Sequence, residues 1–150
     1  MRFKYEKLLM NLRNGLGAIC GDGSEQDAVY QQMRREGEAS YTAAGIDWAS
    51  EDEVKELRKD TIVRGKIEGV EEVGNSTFQS LLRQTGDAES DFLNGEICLL
   101  GRLHGVPTPA NRVVQRLSNE LARRRGRPQS IPIQEIERLI SQAAQDPAHL

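Results

Sequence analysis

The chain has 150 residues and a formal net charge of −3, a length that suits one domain with a single core and a charge with no global pull toward nucleic acid or an anionic membrane. Apolar residues make up 37% and charged residues 29%, the balance of a globular rather than a disordered chain. No apolar run approaches the ~20 residues that cross a bilayer, and the basic start MRFKYEKLLMNLRNG has its apolar residues interrupted by polar ones, unlike a signal peptide.

In chain order the pattern is helical nearly throughout. Leu8, Leu9, Leu12, Leu16 and Ile19 recur at helical spacing until Gly21 and Gly23 end the segment. A second helix is predicted from Ser24, as its cap, to about Ala44, with Gly45 as the stop; it carries Val29, Tyr30 and Met33, and Gly37 weakens its middle. Ser50-Glu51-Asp52-Glu53 is a capping box that opens a third helix, and Ser76-Thr77-Phe78-Gln79 opens a fourth containing Leu81 and Leu82. A fifth runs from near Glu89 to Gly105. Thr108-Pro109 then reads as a cap followed by proline at the first helical position, opening a sixth helix with Val113, Val114, Leu117 and Leu121. After the basic turn Arg123–Arg127, residues 132–144 place Ile136, Leu139, Ile140 and Ala143 on one face. With no alternating strand and no repeat, the expected fold is all-α, one helical domain over residues 1–150.

The two cysteines, Cys20 and Cys98, are far apart and lack a CxxC partner, which fits small buried thiols in a reducing cytoplasm. With only His104 and His149 as imidazole donors, no metal site is expected. Gly21-Asp22-Gly23 follows a helix and precedes no third glycine, so it reads as a loop rather than a dinucleotide fingerprint. The arginines of ARRRGRP (122–128) suit a helix end facing solvent. Without aromatic interleaving they point to no nucleic-acid partner.

Two constellations carry chemistry. On a helix, Lys7, Asn11 and Asn14 fall within about 60° of one another and well away from the leucine stripe, with Gly15 and Ala18 leaving room beside them. An ammonium can polarise or protonate a carbonyl oxygen while amides bind neighbouring oxygens; an ordinary solvated face would look the same. Ser76 satisfies a helix N-terminus, which is also a ready anion site. Glu89 and Asp91 suit the first turn of the next helix, and Asn94-Gly95 inside that helix suggests close approach of another helix or a ligand.

KLLMNLRNGLGAICG, followed downstream by NSTFQSLLRQ and then ESDFLNGEICLLGRLHGVPTPAN, resembles the C-terminal domain of the ketopantoate reductase family over roughly residues 1–122. The resemblance implies a helical bundle of the kind found in 6-phosphogluconate dehydrogenase-like C-terminal domains. It also implies reduction of 2-dehydropantoate, or a related 2-keto acid, to pantoate with NADPH in pantothenate biosynthesis. On this likeness Lys7 matches the catalytic lysine that acts as general acid, and Asn11 the asparagine that orients the substrate. Ser76 matches the serine that binds the substrate carboxylate, and Glu89 the glutamate that holds the substrate hydroxyl beside the nicotinamide. Asp91 and Asn94-Gly95 match the architectural remainder of that motif. The family's second asparagine falls four residues after the first; here Asn14 falls three after Asn11, on the same face.

The resemblance further implies a partner, an N-terminal Rossmann domain that holds NADPH; its fingerprint is missing from these residues. The chain alone is therefore expected to bind NADPH weakly and not to turn over. A second copy of the chain is a further candidate partner. The competing reading is a non-catalytic helical dimerisation or binding module that keeps the scaffold; retention of Lys7 and Glu89 weighs against it.

Overall fold

A computed structural model of the chain describes residues 1–21, 23–62 and 90–146. Among these residues every regular element is helical: α1 (Arg2–Cys20), α2 (Asp27–Ala43), α3 (Glu51–Ile62), α4 (Ser90–His104), α5 (Pro109–Arg123) and α6 (Ile133–Gln145). The all-α expectation holds for them. The helix expected at Ser76 lies outside the described residues.

The ends of these helices show which local signals decide the structure. Ser50 and Glu53 form the reciprocal box: the Glu53 N–H donates to Ser50 Oγ at 3.2 Å and the Ser50 N–H to Glu53 Oε2 at 2.7 Å. Gly45 and Gly105 take left-handed backbone angles, φ 67° and 70°, and let the following residues turn back onto the helix they close. Thus the Ile46 N–H reaches Tyr41 O at 2.9 Å and the Val106 N–H reaches Gly101 O at 2.8 Å. Ser24 does not cap α2. It begins a 3-10 turn, Ser24–Gln26, and α2 starts at Asp27 with no side-chain cap.

The core gathers one stripe from each of five helices. Leu9, Leu12, Leu16 and Ile19 of α1 are fully buried against Met33 and Tyr41 of α2, Ile97 of α4, Val113 and Val114 of α5, and Ile136 and Ile140 of α6. Helix α5 packs on α1, α2, α4 and α6 and so runs through the middle of the bundle. Gly37, a weak helix former by propensity, is buried where the Leu9 side chain leans into α2. The outer face of α4 leaves Phe92, Leu99 and Leu103 exposed.

Candidate functional site

Helix α1 separates two faces. Its leucines go into the core, and on the other side Lys7 is exposed while Asn11 and Asn14 are half-buried. Among the described residues, none of these three side chains makes a hydrogen bond or ion pair. The structure thus brings the lysine and two amides together on one open face with their donors uncommitted. One expectation changes: Ala18 leaves no room beside the stripe, because it is buried against Ala122 of α5. The stripe therefore ends at Asn14. Ser76 and Glu89, and with them the expected carboxylate end of the site, lie outside the described residues.

The interior holds two buried polar clusters. The first sits one residue before Lys7. Glu6 is fully buried, and Arg34 Nη1 and Nη2 of α2 donate to its Oε1 and Oε2 at 3.0 and 2.9 Å. The same guanidinium donates through Nε to Glu38 Oε1 at 2.9 Å and lies 3.2 Å from Glu51 Oε1 at the start of α3. Burial opposes the charge on Arg34, but hydrogen bonds with Glu6 and Tyr30 outweigh it and hold the guanidinium above its ordinary pKa.

The second cluster fixes the start of α5. Thr108 is placed as the cap but makes no capping hydrogen bond with its side chain. That work falls to a carboxylate on another helix. The N–H groups of Ala110 and Asn111 donate to Glu36 Oε1 and Oε2 at 2.9 and 3.0 Å, and Asn111 Nδ2 donates to Glu36 Oε2 at 2.8 Å. With proline at the first helical position, these are the amides a helix N-terminus leaves without partners. Asn94 Nδ2 of α4 completes the link by donating to Asn111 Oδ1 at 3.0 Å. Burial pushes the Glu36 carboxyl above the usual carboxylate range, and the hydrogen bonds from Asn111 and Ala110 offset only part of that shift.

The architectural role expected for Asn94-Gly95 follows from this at Asn94. Asn94 is fully buried, whereas a side chain at Gly95 would meet only the far end of the Gln115 side chain of α5, at 2.9 Å, and no backbone. A signal for the Glu36 cluster was present in the sequence, since Val29, Met33, Glu36 and Ser40 recur at helical spacing with a carboxylate inside the stripe. Cys98 is buried, which pushes its thiol up, and Cys20 is half-buried with its Sγ donating to Leu16 O at 3.1 Å; neither is in a disulfide. No described helix is long and apolar enough to cross a membrane.

Comparison with known proteins adds three findings. The family described as Ketopantoate reductase PanE/ApbA C terminal matches residues 1–122. A crystal structure of a PanE/ApbA family ketopantoate reductase from Ralstonia eutropha JMP134 is similar, with a TM-score of 0.61 and 28% identity, over 81% of this chain and 41% of that one. The chain therefore spans less than half the length of that relative. No curated protein matches the chain.

Proposed function

The chain belongs to the ketopantoate reductase PanE/ApbA C-terminal family, and on that premise we propose that it is the helical, substrate-binding half of an NADPH-dependent reductase. Its substrate is 2-dehydropantoate or a related 2-keto acid, and its place is cytoplasmic pantothenate biosynthesis. The observation that carries this reading is the open stripe of Lys7, Asn11 and Asn14 on α1, a cation and two amides without partners among the described residues. On solvent-exposed surface such a trio would be unremarked. In a family whose substrate is a keto acid it supplies the groups that such a substrate needs.

Each group has a distinct task. The Lys7 ammonium donates to the keto oxygen and supplies the proton that this oxygen takes up on reduction. The Asn11 and Asn14 amides donate to the substrate's remaining oxygens and hold its plane against α1. Ser76 and Glu89 are assigned the carboxylate and hydroxyl ends by their motif positions. Gly21 and Gly23 follow a helix, with no strand before them, so this loop forms no strand–turn–helix cradle for a pyrophosphate. On the family pattern the dinucleotide is assigned to an N-terminal Rossmann domain.

The test is Lys7→Ala in a two-domain protein containing this chain. Loss of a general acid lowers kcat toward 2-keto acids by roughly 100-fold or more. Turnover equal to wild type would remove Lys7 from the chemistry and overturn the reading.

A further inference from the structure

We propose that Arg34 is a positioning residue for Lys7, acting through the buried Glu6; the inference rests on the reading of Lys7 as the acid. One guanidinium joins three helices here. It is bidentate to Glu6 of α1, donates to Glu38 of its own helix α2, and lies 3.2 Å from Glu51 of α3. Glu6 is 0% and Arg34 7% exposed, so the pairing is not diluted by solvent as a surface ion pair is.

Its place on α1 gives the contact its consequence. Leu9 is the first fully buried leucine of that helix, and ahead of it Glu6 is the only fully buried side chain. An apolar stripe selects which side of a helix faces inward but tolerates some roll about the axis. A bidentate guanidinium–carboxylate pair is directional and admits little. Lys7 follows Glu6 directly, so any roll that Glu6 permits is passed to Lys7. For a side-chain tip about 5–6 Å from the axis, a roll of about 20° is a displacement of about 2 Å. A misplacement of only ~1 Å costs a reacting group on the order of 100-fold in rate.

A merely structural ion pair predicts something different. Replacing both partners of a buried pair with apolar residues of similar size is often neutral for stability, whereas removing one leaves an uncompensated charge. The informative variant is therefore the double replacement Glu6→Met with Arg34→Met in the two-domain protein, measured beside Lys7→Ala and Arg34→Lys. The expected result is a melting temperature near wild type, with kcat lowered roughly tenfold or more while KM moves less than kcat. Arg34→Lys keeps the charge but loses the bidentate contact, and falls between wild type and the double variant. It also decides the question if the double variant fails to fold: wild-type kcat in Arg34→Lys then overturns the inference. Loss of turnover in Lys7→Ala with wild-type kcat in a folded double variant overturns the positioning role alone. Wild-type turnover in Lys7→Ala overturns both.

Discussion

Glu36 illustrates how a single carboxylate can hold a bundle at its centre. Its two oxygens receive the first free amides of α5 and the Asn111 side chain, inside a buried site. The partial positive charge of a helix N-terminus favours the anion there, and burial disfavours it. Burial wins, because the carboxyl pKa is raised. The folded state therefore holds this proton more tightly than the unfolded chain. Between the ordinary carboxylate pKa and the raised one, the unfolded state binds fewer protons, so stability falls as pH rises through that window. The contribution is fully present below the unfolded pKa. For one proton the slope is at most about 1.4 kcal/mol per pH unit. Glu36→Gln should abolish this slope and lower stability by about 1–3 kcal/mol, because an amide nitrogen would face donors that need an acceptor. Urea denaturation of both forms across this pH range checks both statements; equal slopes would exclude Glu36 as their source.

At the scale of the helices, two glycines of α4 that look alike in sequence predict opposite outcomes. A side chain at Gly101 would come within 2.6 Å of Val106 O, a backbone atom fixed by its turn, and equally close to Thr108 Cγ2. Gly101→Ala should therefore destabilise by about 1–3 kcal/mol through overpacking, despite the ~1 kcal/mol advantage of alanine in a helix. At Gly95 the nearest atom is the far end of the Gln115 side chain rather than backbone, so Gly95→Ala should be neutral or stabilising by up to about 1 kcal/mol. Thermal melts of the two variants should move in different directions; a matched loss would contradict the distinction. This pair also marks how far the sequence is legible. Among the described residues the helix positions, apart from the start of α2 at Asp27 rather than after a Ser24 cap, the Ser50 box and the Gly45 and Gly105 stops are local, written within a few residues, and they are where periodicity puts them. The open Lys7–Asn14 stripe is legible for the same reason. What caps α5 was not, because Glu36 is 74 and 75 residues from the amides it accepts. Arg34 and Glu6 are separated by 28 residues. Interior polar pairing of this kind depends on how helices come together, and Thr108-Pro109 carries a local cap signal that the packing supersedes.

For the molecule as a whole, the family match covers residues 1–122, yet the core does not stop there. Ile133, Ile136 and Ile140 of α6 are buried in the same cluster as the α1 leucines. The segment leading to α6 also completes α1 itself: the N–H groups of Gln129 and Ile131 donate to Ala18 O and Ile19 O at 2.9 and 3.0 Å. These carbonyls belong to the last turn of α1, whose acceptors have no partners within the helix. The residues beyond the family match thus brace the far end of the helix that presents Lys7, Asn11 and Asn14. A buried isoleucine cut to alanine costs about 2–5 kcal/mol, and a domain has only about 5–15 kcal/mol in total. Ile136→Ala alone should take a large share of the stability. Removing residues 126–150 exposes the α1 leucines and frees both carbonyls, and should abolish the cooperative melt. Circular dichroism on heating measures it: a truncated chain that still melts in one sharp transition near the full chain's temperature would mean that residues 1–125 fold without α6.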